Sequence, residues 1–190
     1  QSTFNNRSII AQSQLLTKIK LVYYHLLTFC YRMAGNSANV VMVNSTWTRN
    51  HIEALWRRTV VVVYPPCNVD NLSCLSLTNK KANMIISLSQ FRPEKNHQLQ
   101  LKSISRLIDI LRENGSTERP LLVMIGSCRN EQDEKLAQSL SQQSIKLGIE
   151  DCVQFKLNIH YDEMARLIEE ASMAIHTMTN EHFGISVVEF

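Results

Sequence analysis

Glycine and proline are scarce in this sequence, with five glycines and four prolines among 190 residues. Average usage of the two together is about 12%, so a collagen-like or linker-dominated chain is excluded. Intrinsic disorder is excluded as well, because 44% of the residues are hydrophobic and their burial offsets the entropy that folding costs. The sequence therefore predicts a folded chain that needs neither a disulfide nor a metal for stability.

Several familiar motifs are also absent. The sequence has no G-x-G-x-x-G turn and no P-loop glycine-lysine element, so dinucleotide-dependent redox and ATPase functions lack a binding motif. It has no Asp-x-Asp pair and no cluster with metal-ligand spacing. The five cysteines form no Cys-x-x-Cys pair, which is typical of a reducing compartment. A net charge of +3 is too small to indicate nucleic-acid binding.

Short apolar runs alternate with longer amphipathic stretches along the chain. The runs predict strands at residues 39–43, 60–64, 84–88, 121–125, 152–155 and 173–176. The stretches predict helices at residues 46–57, 96–113, 131–146 and 161–171, and a last helix that starts after Phe183. This alternation predicts right-handed crossovers and parallel sheets with helices on both faces. We therefore expect a doubly wound α/β fold.

Two consecutive prolines suggest a domain boundary. Pro65 and Pro66 end the second predicted strand because neither can donate a hydrogen bond to a neighbouring strand. The polar stretch that follows has no clear period. We expect one α/β domain over residues 1–66, a linker over 67–81 and a second α/β domain over 82–190. The chain starts at Gln1 and ends within an apolar run, so we expect an internal fragment with both domains incomplete.

Residues 18–33 predict an amphipathic helix with a wide apolar side. The stretch is too short and too polar to span a membrane. Two interpretations stay open. The helix either packs on its own domain or rests on a lipid surface, with Lys18, Lys20 and Arg32 near the headgroups.

Polar residues follow three of the predicted strands, where ligands bind in open parallel sheets. Arg92 and Lys95 come after the strand at 84–88 and precede a helix, which suits a diphosphate. Gly126 follows the next strand and allows close backbone approach to a ligand. Each of these loops, taken alone, also fits an ordinary solvated loop.

The third loop carries two carboxylates separated by seven residues. The spacing places Glu181 and Glu189 on roughly one face of a helix extended through both. Backbone amides near Gly184 point toward the same end, where an anionic group binds favourably. His176 and His182 flank the loop, and each is either a donor-binding side chain or a structural histidine.

Five blocks of sequence taken together are more specific than any one loop. They are VMVNSTWTRNHI at 41–52, VVYPPCNVD at 62–70, SQFRPEKNH at 89–97, GSCRN at 126–130 and HTMTNEHFGISVVE at 176–189. These blocks resemble the retaining GT-B glycosyltransferases of family 4. Within that family they are similar to the eukaryotic mannosyltransferases that act on dolichol-diphosphate oligosaccharides. The resemblance runs from about residue 18 to the end of the chain.

The resemblance implies two Rossmann-like GT-B domains, with residues 1–66 from the acceptor side and residues 82–190 binding the donor. It implies transfer of mannose from GDP-mannose to a dolichol-diphosphate-linked oligosaccharide in α-1,2 linkage, for N-glycan precursor assembly. The expected location is the cytosolic face of the endoplasmic reticulum membrane, with a membrane surface and the pathway's other mannosyltransferases as partners. No metal or other cofactor and no nucleic acid are expected.

The family's functional residues fall on matching positions of this sequence. The resemblance implies that Lys95 meets the donor diphosphate and that Glu181 binds the donor sugar, so these two are the expected catalytic residues. The remaining expected donor-binding residues are Arg92, Gly126, His182, Phe183, Gly184, Ile185 and Glu189, the last of which holds the ribose hydroxyls. The family commonly has Gly-Arg where Ser89 and Gln90 stand, so Arg92 is expected to supply the second cation from a shifted position.

Two other functions are compatible with the same sequence. A nucleotide-sugar-binding or scaffold module of the same fold without turnover has the same loops. An unrelated doubly wound binding domain has the same fold, since this fold hosts many activities.

Overall fold

A computed structural model describes residues 14–67, 69–76 and 78–190. The chain divides into two compact units, Gln1–Pro66 and Cys67–Phe190. The roles expected for them, acceptor side and donor side, stay a prediction.

The first unit is a small β-α-β arrangement preceded by a long helix. Its elements are α1 (Gln14–Asn36), β1 (Met42–Val43), α2 (Thr46–Trp56) and β2 (Val61–Val62). The two strands pair in parallel. Ser45 begins α2 because its side chain accepts a hydrogen bond from the amide of Thr48 at 3.1 Å. Val43, Ile52 and Val60 form the small core.

The carboxyl end of helix α1 packs against the rest of the first unit. Gly35 is buried there, and a Cβ at this position would run into the indole ring of Trp56. The Arg58 guanidinium donates hydrogen bonds to the carbonyls of Gly35 at 3.1 Å and Ala38 at 2.6 Å. A cation is favourable at this end of a helix.

The rest of α1 exposes its large apolar side chains, with Leu15 and Val22 each 68% exposed. No helix in the described part of the chain is long and apolar enough to cross a membrane.

The second unit holds a four-stranded parallel sheet. Its elements are α3 (Asp70–Ser73), β3 (Lys81–Leu88), a 3₁₀ turn (Pro93–Lys95), α4 (His97–Glu113), β4 (Leu121–Gly126), α5 (Glu131–Lys146), a 3₁₀ turn (Glu150–Cys152), β5 (Val153–Leu157), α6 (Tyr161–Glu170), β6 (Ala171–Ala174) and α7 (Ile185–Glu189). The strand order is β5-β4-β3-β6.

Alternate residues of the central strands enter two separate cores. Ile85 of β3 and Leu122 and Met124 of β4 pack with α4 and α5 on one face, in the cluster that contains Leu101 and Leu140. Met84 and Ile86 of β3 and Val123 and Ile125 of β4 pack on the other face with Leu72 of α3 and Ile168 of α6. Strands buried on both faces explain the nearly continuous apolar runs in the sequence. The predicted α/β fold with parallel strands is confirmed.

The strand order reverses next to β3. The chain passes from β3 to β4 to β5 in one direction, and β6 then pairs with the opposite edge of β3. Connections on the two sides of such a reversal leave in opposite directions, which opens a crevice at the carboxyl ends of the strands. The loops after β3 and β6 border this crevice.

One strand differs from the sequence prediction. Strand β6 lies two residues earlier than residues 173–176, because Ala171 pairs with Lys81 and Ala174 pairs with Ile86. His176 and Thr177 therefore lie beyond the strand. Within the stretch 67–81, expected as a linker, Leu72 is buried in the core of the second unit and the amide of Ser76 donates to the Glu169 carboxylate at 3.3 Å. The linker stays a prediction.

Candidate functional site

The loop after β3 turns sharply into α4. Residues Pro93–Lys95 form a single 3₁₀ turn, and Asn96 then takes a left-handed backbone conformation with φ 53° and ψ 43°. Asparagine tolerates this conformation better than most residues. Lys95 is thereby held just ahead of the first turn of α4.

Lys95 and Glu181 meet across the crevice. The Lys95 Nζ atom lies 2.7 Å from Glu181 Oε2, although the two residues are 86 positions apart in the chain. Their side chains are 20% and 25% exposed. His176 Nε2 lies 3.0 Å from the same carboxylate oxygen, and the amide of His182 donates to Glu181 Oε1 at 3.2 Å. The structure thus joins the two residues that the family resemblance predicts to be catalytic.

The Glu181 carboxyl is ionised at neutral pH. Partial burial alone raises its pKa, but the hydrogen bond and charge of Lys95, the His182 amide and the charge of His176 outweigh burial and hold the pKa below its ordinary value. An ionised carboxylate accepts hydrogen bonds and has no proton to give.

Gly184 ends the Glu181 loop in a conformation that favours glycine. Its φ is 79° and ψ is 58°, and a Cβ there would lie 3.2 Å from Glu181 Cγ. Helix α7 begins directly after it, so Glu181 lies outside the helix that carries Glu189. The expectation that the two glutamates share a helical face is wrong, because the left-handed residue interrupts the helix.

A cavity of about 310 Å³ lies beyond the carboxyl ends of β3, β4 and β5. Ser89 and Gln90 line it from the loop after β3, and Glu189 lines it from α7. Gly126 is required at its base, since a Cβ there would run into the carbonyl oxygen of Ser89. The remaining lining residues are Leu88, Ile125, Ser127, Asn158, Ile159, Met164 and Ser186.

A second cavity of about 130 Å³ adjoins the first. Leu88 and Ser186 line both cavities, and His176, the partner of Glu181, lines the smaller one. The larger volume is at the low end of the range for small-molecule sites.

The predicted site residues fall into four groups. Lys95 and Glu181 form the ion pair, while Gly126 and Glu189 line the larger cavity. His182, Phe183, Gly184 and Ile185 lie on the chain between the two glutamates, and the His182 amide contacts Glu181. The carbonyl of Arg92 accepts a hydrogen bond from the Lys95 amide at 3.1 Å, and its Nη1 lies 3.7 Å from Glu94 Oε1. Like Lys95 and Glu181, Arg92 lines neither cavity.

Asn158, Ile159 and Met164 are absent from the predicted site but line the larger cavity. Asn158 also joins two loops, since its amide donates to the Gly126 carbonyl at 3.1 Å and its side chain accepts from the Cys128 amide at 2.9 Å. Asn158 and Ile159 directly follow β5, and a position after a parallel strand is the same signal that pointed to Lys95. Met164 lies in the first turn of α6.

His97 is a buried neutral histidine under the β3 loop. Its Nε2 lies 2.9 Å from Ser89 Oγ, and its ring stacks on Phe91 with centroids 5.0 Å apart. Burial, followed by the charge of Lys95, lowers the pKa of His97 to about 4.

Within residues 14–67, 69–76 and 78–190, no group of three or more histidine, cysteine or acidic side chains is placed to hold a metal ion. The site presents a cation and a carboxylate in contact, Lys95 and Glu181, while a second carboxylate, Glu189, lines the larger cavity. His176 connects the two, since it contacts Glu181 and lines the smaller cavity. Chemically, a cation of this kind binds phosphate oxygens, and carboxylates accept hydrogen bonds from hydroxyl groups.

Residues 75–190 match the family model described as glycosyl transferases group 1, which covers more than half of the chain. The chain belongs to this family. Residues 1–56 of this group 1 glycosyltransferase chain match a second model, described as the ALG11 mannosyltransferase N-terminus. The family resemblance seen in the sequence blocks is confirmed.

The glycosyltransferase chain is similar to curated proteins named GDP-Man:Man(3)GlcNAc(2)-PP-Dol alpha-1,2-mannosyltransferase. Identity is 44% to the protein from Mus musculus and 43% to that from Homo sapiens, in each case over 98% of this chain and 39% of the relative. Identity to the Caenorhabditis elegans protein is 42%, over the whole chain and 41% of the relative. The chain thus spans about two fifths of the length of these relatives.

Two solved structures share the fold of this glycosyltransferase chain. A glycosyltransferase from Rickettsia africae ESF-5 superposes with a TM-score of 0.61 at 15% identity, over 78% of this chain and 41% of that one. The pneumococcal O-GlcNAc transferase GtfA, solved with UDP and GlcNAc, gives 0.54 at 16% identity, over 83% and 29%. The GT-B-like assignment of the fold is confirmed, with the fold present in part.

Proposed function

We propose that the protein containing this chain transfers mannose from GDP-mannose to a dolichol-diphosphate-linked oligosaccharide in α-1,2 linkage, with retention of configuration. The name of the relatives supports the donor, the acceptor and the linkage. Membership of the group 1 family supports glycosyl transfer. The observation that carries the proposal is the contact of Lys95 with Glu181, at 2.7 Å, across the reversal of strand order.

Lys95 is the proposed partner of the donor diphosphate. Negative charge grows on the diphosphate as GDP leaves, and a fixed cation beside it stabilises the transition state more than the ground state. Its backbone position ahead of α4 and its half-buried side chain support this role.

Glu181 is the proposed acceptor of hydrogen bonds from the mannose hydroxyls. Its lowered pKa keeps it ionised, which suits this task and does not suit a general acid of the glycosidase type. Glu189 is proposed to hold the ribose hydroxyls and the Gly126 backbone to face the nucleotide, and their place in one cavity supports both roles. No metal is needed in this scheme, because Lys95 supplies the positive charge.

The proposed location is the cytosolic face of the endoplasmic reticulum membrane. The dolichol-linked acceptor named for the relatives supports an association with this membrane. Helix α1 supports a lipid surface as a partner, since it contains no acidic residue, carries Lys18, Lys20 and Arg32, and exposes its apolar side chains.

The full-length protein tests the proposal in an assay of mannose transfer to the lipid-linked acceptor. Glu181→Ala is expected to lower kcat at least about 100-fold, the scale on which loss of a transition-state contact acts. Glu113→Ala is the matched control, because Glu113 lies at the far end of the 17-residue helix α4, about 25 Å away at 1.5 Å per residue. Chelation with EDTA is expected to leave transfer unchanged.

The same assay separates the enzyme from a nucleotide-sugar-binding module without turnover. Wild-type protein that binds GDP-mannose but transfers no mannose would support the module. Full turnover in Glu181→Ala would remove Glu181 from the mechanism.

A further inference from the structure

We infer that Thr177 is a positioning residue for the proposed transfer: its hydroxyl, oriented by Gln100, fixes the backbone of Lys95 at the spacing from Glu181 that the donor requires. The inference rests on the proposed function, because it assigns Lys95 to the diphosphate.

One hydroxyl group joins α4 to the loop after β6. Gln100 Nε2 donates a hydrogen bond to Thr177 Oγ1 at 3.0 Å. Thr177 Oγ1 in turn donates to the carbonyl of Lys95 at 2.8 Å, with the carbonyl of Asn96 at 3.2 Å. A hydroxyl accepts and donates at the same time, so the amide fixes the direction in which the threonine donates. These contacts join parts of the chain 77 to 82 residues apart.

The carbonyls that Thr177 holds lie where the local backbone is least regular. The 3₁₀ turn at Pro93–Lys95 ends there, and Asn96 has a positive φ with no hydrogen bond from its side chain to the helix start. A left-handed residue is unfavourable unless its surroundings fix it. The contact from Thr177 therefore stabilises the turn that determines where the Lys95 side chain begins.

The residue before Thr177 holds the other member of the ion pair. His176 Nε2 lies 3.0 Å from Glu181 Oε2, and Lys95 Nζ lies 2.7 Å from the same oxygen. Two adjacent residues thus contact the Lys95 backbone and the Glu181 carboxylate. A displacement of this dipeptide moves both groups that the proposed reaction uses.

Packing alone does not explain a glutamine at position 100. Gln100 is 1% exposed in the face of α4 that contacts the sheet. Its Oε1 is buried with no hydrogen-bond partner among the described residues, and a buried acceptor of this kind lowers stability. An apolar side chain would pack there without that cost. The hydrogen bond from Gln100 to Thr177 compensates for the stability lost through the unpaired Oε1 atom.

Placement of Lys95 matters because charge stabilisation depends on preorganised geometry. A displacement of about 1 Å at a reacting group can lower the rate about 100-fold. We therefore expect Thr177→Val, which removes the hydroxyl but keeps the shape, to lower kcat/KM for GDP-mannose about 10- to 100-fold and to weaken GDP binding. Thr177→Ser, which restores the hydroxyl, is expected to stay within about threefold of wild type.

The test uses the full-length protein and a double-mutant cycle with Lys95→Ala. If Thr177 acts through Lys95, then Thr177→Val has less than about a twofold further effect on GDP affinity when Lys95 is already alanine. Thr117→Val is the matched control, since Thr117 is exposed in the loop between α4 and β4, at the opposite edge of the sheet. The melting temperature is measured for every variant.

If the Thr177→Val variant keeps the kcat/KM and the GDP affinity of the wild type, the inference is overturned. It is also overturned if Thr177→Val lowers GDP affinity by the same factor in the wild-type protein and in the Lys95→Ala variant. Should Thr177→Val fail to fold, Gln100→Leu decides the matter in its place, because it leaves the hydroxyl without its orienting donor and predicts the same dependence on Lys95. A wild-type protein that transfers no mannose would refute the proposed function instead, while the effect of Thr177 on GDP affinity would still be measured.

Discussion

Replacing Glu181 with glutamine removes the negative charge of the ion pair with Lys95. We expect this change to raise the affinity for GDP and to lower the rate of mannose transfer. Glutamine has nearly the same shape and still accepts a hydrogen bond, but it carries no charge. GDP has no mannose, so it lacks the hydroxyls that Glu181 is proposed to contact. In the structure, however, Glu181 Oε2 lies 2.7 Å from Lys95 Nζ and competes with the diphosphate for that cation. Glu181→Gln should therefore tighten GDP binding while it lowers mannose transfer.

The expected gain in GDP affinity is small. The two side chains are 20% and 25% exposed, so solvent still screens the pair and its net contribution is about 1 kcal/mol. Releasing Lys95 from it should lower the GDP dissociation constant about fivefold. Lys95→Ala removes a charge-assisted contact to phosphate and should weaken GDP binding by about 1 to 3 kcal/mol.

Isothermal titration calorimetry of the full-length protein with GDP and with GDP-mannose measures both effects. The gain from Glu181→Gln should shrink as salt is raised, because ions screen the pair further. Glu113→Gln serves as the matched control at the far end of α4. Weaker GDP binding in Glu181→Gln, or an unchanged dissociation constant in Lys95→Ala, would refute the assignment of Lys95 to the diphosphate.

Three further predictions concern the packing that supports the site and the first unit. Gly126→Ala should lower the free energy of unfolding by about 1 to 3 kcal/mol in urea titrations and weaken GDP binding, because the new methyl group runs into the carbonyl of Ser89. If the free energy of unfolding and the GDP affinity both keep their wild-type values, the close approach of the two loops is contradicted. The folded-state pKa of His97, about 4, lies below its unfolded value of 6.5, so the unfolded chain binds more protons between these pH values. The free energy of unfolding should therefore fall by about 3 kcal/mol as the pH drops from 6.5 to 4. The His97→Gln variant should lack this pH dependence. Arg58→Ala should lower the melting temperature of the first unit, because the carbonyls of Gly35 and Ala38 lose their donor; an unchanged melting curve would show that Arg58 does not hold α1.

Much of the fold could be predicted because its signals are local. The apolar run at residues 84–88 identifies a buried strand without reference to any distant residue, and Ser45 begins α2 through an amide three positions ahead. The site was predicted in part for the same reason. Lys95 and Glu181 each follow a predicted strand, and the sequence blocks around them resemble a known family.

Other features of the site have no local signal. The contact between Thr177 and Lys95 depends on where β6 ends, and β6 ends two residues earlier than its apolar run suggests because its pairing with β3 fixes the register. The position of the Arg92 side chain beside Glu94 likewise depends on how one turn of the loop packs.

The elements, their order and the family follow from the amino-acid sequence alone, because hydrophobic period, capping residues and motifs act between neighbours in the chain. The three-dimensional arrangement was needed to show that β6 pairs with the outer edge of β3, so that residues 86 positions apart meet at 2.7 Å. Many strand orders bury the same apolar runs equally well, and the strand order is what selects the side chains that face one another.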